Sequence, residues 1–584
     1  MWNFYVVLGP TTRLSLFKSR PVDSSWFHKP PPYLVIQDKG IAQGPFQVDV
    51  GATDGQYLSA KCYQGIMAAA ISCHDSHTEC DRDQNDPCHS MAFRLIDVHT
   101  KTFVLATGGE QYVALSYVWG DTARHTPRSF DTLPEELPQT IADAISVVHN
   151  LGIQYIWIDA YCIDQSNSLE LSQAVANMDS VFESAFLTLC PLWADIHHGL
   201  QGVSMAFESP QAYPLGNHHV CWAYGDEHPL DEGMRNTPWH NRAWIFQESM
   251  LSRLRLCFLR SSVLLSCPWQ RMSSHYHMCG PIDPAKHQSD DSIKTHLQMT
   301  KWRFYSYSIL VSRYSRRQLT YASDALNAIK GILSRITKQT GMEFVHGLPQ
   351  SDLLNGLLWH PSFIGDYKDE TPHEQPAMVN TNQRGLFPSW SWLSYSRSVD
   401  FAYLERNSTL ITYPLHARWR TSINTLDQEC FIRDTAQVHA SNSSALLTII
   451  TESISVIMVP DLADEESPND MERFQWVLEP PVDGGKTTAV RQSKRERPFS
   501  WSEPAYFESV LIPVEILPRL CIGPGRCAVR LLQLVRIVRE KEDIVIAMAV
   551  GKAENGVLER LGLLVVPYEY WVGRGPEQRT GFIQ

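Results

Sequence analysis

Between residues 112 and 190 the pattern of apolar and polar positions alternates between that of a buried strand and that of an amphipathic helix. Residues 113–118 and 153–158 are short apolar runs rich in β-branched and aromatic side chains, a pattern that predicts buried strands. Between these runs, apolar residues recur at helical spacing, and they are Ile141, Ala144, Ile145, Val148 and Leu151. Gly152 follows at a point where glycine commonly ends a helix. The pattern predicts a strand, an amphipathic helix and a second strand.

A second helix is predicted before the strand-like residues 186–190. The residues that share one face of this helix are Val175, Met178, Phe182 and Ala185. A helix supplies the long crossover that parallel neighbouring strands need, so the two successive strand-helix-strand units predict a parallel sheet covered by helices. In such sheets, ligands bind beyond the carboxyl ends of the strands.

Residues 238–251 predict a further helix, on which Trp244, Glu248 and Leu251 share a face. Later in the chain, residues 302–336 predict helix, whereas residues 446–458 and 544–550 predict strands. The predicted organisation is an N-terminal extension with a helical lead-in at 1–93, an α/β domain at 94–270, a linker at 271–300, a helical and then strand-rich C-terminal region at 301–460, a flexible insertion at 461–504 and the remaining β-rich region at 505–584.

The composition narrows the class of protein. With 584 residues, 43% hydrophobic and 19% charged, the chain has enough apolar material for several cores. Its formal net charge of −13 gives no general attraction to phosphate backbones, so we expect no nucleic-acid partner. No apolar run reaches the roughly 20 residues of a membrane span, and no signal peptide is evident. We expect a soluble, cytoplasmic protein whose 13 cysteines are in a reducing compartment.

One cluster of metal-ligating residue types stands out near the start of the chain. Cys73, His77 and Cys80 have a spacing that could supply thiolate and imidazole ligands to zinc. The alternative is a turn of helix that buries one face, which we favour because the closely spaced cysteine pairs of structural zinc sites are missing. We predict no metal site.

Three motifs combine apolar residues with Trp, Asp, Gln and Glu side chains that a plain core does not need. They are Leu-Ser-Tyr-Val-Trp-Gly-Asp at residues 115–121, Trp-Ile-Asp-Ala-Tyr-Cys-Ile-Asp-Gln at 157–165 and Arg-Ala-Trp-Ile-Phe-Gln-Glu at 242–248. The first two motifs follow neighbouring predicted strands. Because the carboxyl ends of parallel strands share one edge of the sheet, we expect these motifs to meet there.

The three motifs, in this order, resemble the signatures of the fungal heterokaryon incompatibility domain, usually called the HET domain. Residues 94–98, 137–144 and 251–253 resemble its flanks, and residues 388–392 and 559–562 resemble a companion C-terminal region. The resemblance implies an α/β fold like that of TIR domains and flavodoxin, with a parallel sheet and flanking helices. It also implies a cytoplasmic protein of non-self recognition that triggers or executes programmed cell death.

The HET domain is considered distantly similar to TIR domains, some of which cleave NAD with a glutamate on a helix. By that analogy Glu248 is the catalytic residue, and NAD is a substrate while no cofactor is required. A carboxylate beside the ribose can stabilise the oxocarbenium-like transition state of glycosidic cleavage. The residues expected to bind the nucleotide in the same pocket are Trp119, Gly120, Asp121, Asp159, Asp164, Gln165, Arg242 and Trp244. One departure from the family pattern is that Gln173 and Ala174 stand where an acidic residue is expected.

Each of these residues also has a purely structural interpretation. Glu248 could form an ion pair with Arg242 or Arg253, or be solvated on a helix. Trp119 could pack in the core, and Asp159 could cap the turn that follows its strand. Two mechanisms therefore remain open. The domain could self-associate and cleave NAD, or it could be a signalling adaptor that assembles with itself, a receptor or an incompatibility partner without turnover.

Overall fold

The structure is a computed structural model that describes part of the chain. The longer stretches that it describes are residues 57–76, 91–119, 130–207, 237–260, 263–267, 304–361, 386–395, 398–401, 436–440, 446–460, 526–539, 542–552 and 557–583. Residue 87 and the remaining short strands named below complete the described set. The predicted linker at 271–300 and the predicted insertion at 461–504 fall outside it, apart from three short strands.

The α-helices of the described residues are numbered here in chain order. They are α1 (Ala60–Ser76), α2 (Gln139–Asn150), α3 (Asp159–Cys162), α4 (Ser168–Ala176), α5 (Met178–Ser184), α6 (Pro238–Asn241), α7 (Ala243–Leu251), α8 (Phe304–Tyr314), α9 (Asn327–Thr340), α10 (Leu353–Gly356) and α11 (Tyr568–Gly573). Short 3₁₀ helices are formed by Ala322–Ala325, Gln350–Asp352 and Trp392–Ser394.

The strands of the first half of the chain are β1 (Arg13–Leu14), β2 (Tyr33–Gln37), β3 (Arg94–Asp97), β4 (Thr102–Leu105), β5 (Tyr112–Leu115), β6 (Tyr155–Trp157), β7 (Leu187–Pro191), β8 (Ala212–Leu215), β9 (His218–Ala223), β10 (Arg255–Phe258), β11 (Val263–Ser266), β12 (Gln270–Ser273) and β13 (His277–Cys279). Those of the second half are β14 (Phe344–Val345), β15 (Leu348–Pro349), β16 (Trp359–Pro361), β17 (Val399–Phe401), β18 (Tyr403–Leu404), β19 (Ile411–Thr412), β20 (Phe431–Arg433), β21 (Gln437–Ala440), β22 (Leu447–Pro460), β23 (Trp476–Leu478), β24 (Cys521–Gly523), β25 (Arg526–Arg539), β26 (Glu542–Lys552), β27 (Leu558–Pro567) and β28 (Glu577–Ile583).

The chain divides into two compact units. The first comprises Met1–Trp302 together with Asn327–Ile336, and the second comprises Arg303–Leu326 together with Thr337–Gln584. Helix α9 is therefore shared, because its first ten residues belong to the first unit and its last four to the second.

A nine-stranded sheet forms the centre of the first unit, in the order β13-β12-β11-β10-β7-β5-β6-β3-β4. The four neighbours β10, β7, β5 and β6 are parallel. On one side β3 pairs antiparallel with both β6 and the edge strand β4, and on the other side β11, β12 and β13 form antiparallel hairpins. The prediction of an α/β fold is confirmed, but the sheet is mixed and is parallel only at its centre. A separate sheet has the order β1-β2-β9-β8.

The helices between the parallel strands follow the predicted periodicity with one difference. Gly152 has a φ of +76°, in the left-handed region that favours glycine, and directly follows the C-cap of α2 as predicted. The single helix predicted before β7 is instead two helices that meet at Asn177. The Asn177 side chain donates a hydrogen bond to the carbonyl of Gln173, which competes with continuation of α4.

The helix predicted at residues 238–251 is also interrupted. Helix α6 begins at Pro238 behind Thr237, whose hydroxyl accepts a hydrogen bond from the His240 N–H at 3.1 Å. Arg242 is extended, with φ −82° and ψ 137°, and α7 follows it. A cluster of buried residues packs beneath this turn and consists of Cys190, Leu192, Trp239, Ile245, Cys257 and Leu264. This packing fixes where α7 begins relative to β7 and β10.

Helix α9 packs against α5 and α7 through buried polar contacts. The Gly331 N–H donates to Gln247 Oε1 at 2.8 Å, and a Cβ on Gly331 would lie 3.0 Å from the Gln247 amide. Arg335 lies 3.4 Å from the Glu183 carboxylate. Glycine at position 331 therefore permits the close approach of α9 to the helix that carries Glu248.

The second unit is rich in strands, as the sequence predicts. Its largest sheet has the order β20-β25-β26-β27-β28-β22-β21, with β23 paired to β22 and β24 to β25. The buried Arg560 on β27 donates hydrogen bonds to the carbonyls of Leu357 and Trp359, and its guanidinium lies 4.0 Å from the centre of the Trp359 ring. Its backbone N–H donates to the Ser389 hydroxyl at 3.0 Å. These contacts join the two C-terminal motifs, residues 388–392 and 559–562.

Two features bear on membranes and metals. Among the described residues, no helix combines the length and the apolar character that a bilayer crossing requires. No group of His, Cys, Asp and Glu side chains suited to a metal ion occurs in that same part of the chain. Cys73 is buried on α1, as the helical interpretation predicts, whereas His77 and Cys80 fall outside the described residues.

Candidate functional site

The candidate site lies at the carboxyl ends of the neighbouring parallel strands β5 and β6. Trp119 follows β5 and Asp159 follows β6, and the Trp119 indole N–H donates to Asp159 Oδ2 at 2.6 Å. The other oxygen of Asp159 accepts a hydrogen bond from the Ala160 N–H at 2.7 Å, within the first turn of α3. The two motifs that are distant in sequence thus meet where the sheet geometry predicts.

Helix α7 brings Glu248 to the same place. The Glu248 carboxylate is partly buried and accepts a hydrogen bond from the Ser116 hydroxyl. The Ser116 oxygen in turn accepts one from the buried Trp239 indole N–H at 3.0 Å. Because Ser116 follows β5 directly, this chain of hydrogen bonds ties the catalytic candidate on α7 to the central sheet.

Two carboxyl groups in this site titrate above their ordinary range. Burial raises the pKa of Asp159 from 3.8 to about 6, although the Trp119 and Ala160 donors and the Arg242 charge act in the opposite direction. Burial and then the charge of Asp159 raise the pKa of Glu248 from 4.5 to about 7, against the Ser116 hydrogen bond and the charge of Arg242. The charge of Asp159 acts on Glu248, so the two carboxyl groups lie close enough to interact.

Two tyrosines and one arginine complete the surroundings of the carboxylates. Arg242 donates to the carbonyl of Tyr117 at 3.3 Å. Burial, followed by the charges of Asp159, Tyr161 and Glu248, raises the pKa of Tyr117 well above its usual value. The hydroxyls of Tyr117 and Tyr161 are both buried and have no hydrogen-bond partner among the described residues.

The other residues predicted for the pocket are placed less centrally. Gln165 donates to the backbone carbonyl of Asp159 at 3.3 Å, so it braces the turn that carries this carboxylate. Asp164 accepts hydrogen bonds from the backbone and hydroxyl of Ser166. Trp244 is partly buried one helical turn before Glu248. Gly120 and Asp121 fall outside the described residues.

The structure also shows the surroundings of two further residues of the second motif, Trp157 and Cys162. Trp157 lies in the core, where its ring makes an edge-to-face contact with Phe182 at 5.7 Å. Burial raises the pKa of the Cys162 thiol to about 12, which leaves it protonated near neutral pH and unsuited as a nucleophile.

Sequence reasoning missed Ser116, Tyr117, Tyr161 and Trp239 as members of this site. Ser116 and Tyr117 stand inside the first motif and Tyr161 inside the second, so the motifs themselves contain the signal. The sequence does not reveal which of the two faces of the chain these side chains occupy. Trp239 has no such motif and is recognised only by its hydrogen bond to Ser116.

The arrangement has defined chemical capabilities. Two carboxyl groups with raised pKa values can each hold or release a proton near neutral pH. When ionised, they favour a ligand group that carries or develops positive charge, and Arg242 offsets part of their charge. The Trp119 ring at the edge of the site offers a flat apolar surface.

Comparison with known proteins identifies the segment that carries this site. Residues 112–248 match the family model of the heterokaryon incompatibility protein, HET. No curated protein and no solved structure matches the chain. The matched segment starts at the first residue of β5 and ends at Glu248.

Proposed function

Because the chain carries a HET domain at residues 112–248, we propose that it acts in heterokaryon incompatibility by cleaving NAD or a related nucleotide. The observation that supports cleavage best is the pair of carboxyl groups, Asp159 on α3 and Glu248 on α7, at the carboxyl edge of the sheet. Parallel central strands with a site at this edge also support the proposed likeness to TIR domains and flavodoxin. Cell death in the cytoplasm would be the consequence of nucleotide loss.

The proposed reaction breaks the bond between the nicotinamide nitrogen and ribose C1′. The bonding electrons go to the nicotinamide nitrogen, which was cationic and leaves neutral, so the leaving group needs no proton. Ionised Glu248 stabilises the positive charge that develops on the ribose. Water adds to C1′ and gives its proton to the second carboxylate, Asp159, so the products are nicotinamide, ADP-ribose and one proton.

The raised pKa values predict how the rate of this reaction changes with pH. Both carboxylates act in the ionised form, and the higher of the two pKa values is about 7. We expect the rate of NAD cleavage to rise between about pH 6 and pH 8 and then to level off.

The test is to incubate the purified full chain with NAD at several protein concentrations and follow nicotinamide release. Glu248→Gln and Asp159→Asn keep the shape of the side chains and remove the charge, so each should lower the rate at least about 100-fold. Glu110→Gln is the matched control, because this carboxylate accepts hydrogen bonds from Thr107 and Gly108 and precedes the amino end of β5, whereas the site lies beyond its carboxyl end. It should leave the rate unchanged.

The adaptor mechanism predicts a different result. Absence of nicotinamide release at every protein concentration, together with oligomers that form as concentration rises, would favour assembly without turnover. Cleavage that survives both Glu248→Gln and Asp159→Asn would remove these residues from the reaction.

A further inference from the structure

The two tyrosines beside the carboxylates have an unusual hydrogen-bonding state. Tyr117 lies two residues beyond the end of β5, and Tyr161 is on α3, two residues after Asp159. Their side chains are 3% and 1% exposed, yet neither hydroxyl has a hydrogen-bond partner among the described residues. A buried hydroxyl without a partner costs about 1–3 kcal/mol, and buried polar groups in folded proteins are nearly always satisfied by protein, water or ligand.

A third tyrosine on the same strand shows the ordinary arrangement. Tyr112 begins β5 and is also buried, but its hydroxyl donates to the carbonyl of Val181 at 2.6 Å. A buried tyrosine hydroxyl at the other end of β5 is therefore satisfied within the protein, in contrast to Tyr117.

The charges around the Tyr117 phenol restrict what this end of the sheet can bind. Asp159 and Glu248 both act on the Tyr117 hydroxyl, with Arg242 as the cation opposing them there. Two carboxylates repel a phosphate group, whereas they accept hydrogen bonds from hydroxyl groups. Phenols can donate to the oxygen of the same hydroxyl group. A set of hydrogen-bond donors and acceptors at this end of the sheet matches the vicinal hydroxyls of a sugar.

We propose that Tyr117 and Tyr161 bind the hydroxyls of a ribose that Asp159 and Glu248 flank. This inference rests on the proposed function for the identity of the ligand, and it makes both tyrosines positioning residues for the sugar. The phosphates of the nucleotide then lie away from the paired carboxylates.

The test uses the full chain with Tyr117→Phe and Tyr161→Phe, which remove only the hydroxyl groups, and Tyr112→Phe as the matched control. For the two site variants we expect about a tenfold rise in KM for NAD, with an unchanged or higher Tm because no internal hydrogen bond is lost. Tyr112→Phe should lower Tm and leave KM unchanged. NAD analogues lacking the 2′ or the 3′ hydroxyl of the nicotinamide ribose should abolish the difference between wild type and at least one site variant.

The possible results separate this inference from the proposed reaction. Wild-type kinetics in both site variants would overturn the inference and leave NAD cleavage standing. A fall in Tm like that of Tyr112→Phe without a change in KM would also overturn it, since the hydroxyls would then be satisfied within the protein. If the chain releases no nicotinamide, calorimetric titration with NAD replaces KM: weaker binding by the site variants supports the inference although the reaction fails, and no binding by the wild type overturns both.

Discussion

Glu248 is expected to destabilise the folded protein at high pH, and Glu248→Gln should therefore stabilise it there. The pKa of Glu248 is raised in the folded state from 4.5 to about 7 by burial and by Asp159. A carboxyl group with a raised folded-state pKa favours folding most strongly below its unfolded pKa. That contribution is lost as the pH rises through the folded-state pKa.

The size of the effect follows from the shift. One pKa unit corresponds to about 1.36 kcal/mol, so the shift from 4.5 to about 7 gives about 3 kcal/mol at pH 8. At about pH 5 the same linkage destabilises the folded protein by less than about 1 kcal/mol. Glutamine has nearly the shape of glutamate and can still accept from the Ser116 hydroxyl, but it never ionises. The gain in the free energy of unfolding should therefore grow from pH 5 to pH 8.

The assay is calorimetric and urea-induced unfolding of the full chain at both pH values, followed for the transition of the first unit. Glu170→Gln is the matched control of opposite sign, because the ion pair with Arg94 lowers the pKa of Glu170. The Glu170→Gln variant should be less stable than the wild type at pH 8, and this difference in stability should become smaller as the pH falls. Equal stability changes at pH 5 and pH 8 for Glu248→Gln, or a loss at pH 8, would refute the reasoning.

Three further substitutions test separate contacts. The Trp119 N–H donates to Asp159 and lowers the pKa of that carboxyl group. Trp119→Phe removes this donor, so the pH profile of NAD cleavage should move to higher pH. An unmoved profile would contradict this. Gly331→Ala should lower the Tm, because the added Cβ lies 3.0 Å from the Gln247 amide and this contact outweighs the roughly 1 kcal/mol that alanine gains in a helix. A higher Tm would show that Gln247 moves freely. Arg560→Met leaves two buried carbonyls without their donor, at about 1–3 kcal/mol each, and should lower only the calorimetric transition of the second unit. A shift in both transitions would contradict that assignment.

The centre of the first unit could be predicted because local periodicity and tertiary burial agree there. Strands β5 and β6 are short apolar runs buried by their neighbours, and Gly152 ends the helix between them. The break at Asn177 was missed because the apolar face continues across it, whereas the backbone of Asn177 leaves the helical conformation and its side chain bonds to the Gln173 carbonyl. The antiparallel edges were missed because their strands are only three or four residues long and pair through tertiary contacts.

The candidate site could be predicted in part for similar reasons. Strand order alone suggests that Trp119 and Asp159 meet, since both follow neighbouring parallel strands. The hydrogen bond from Gly331 to Gln247 joins residues 84 positions apart, and no pattern in the sequence indicates it. Whether the Tyr117 hydroxyl has a hydrogen-bond partner depends on the residues around it in the fold, so the sequence alone does not show it.

The shared helix α9 has a consequence for how this protein can be divided. The family match ends at Glu248, yet residues 327–336 return to the first unit and bury Ile329, Ile332 and Ile336. A gene fragment that stops at the end of the match would cut α7 before Leu251 and would lack Gly331, which hydrogen-bonds Gln247 on that helix. A fragment that contains the domain would therefore keep its fold only if it also included residues 327–336.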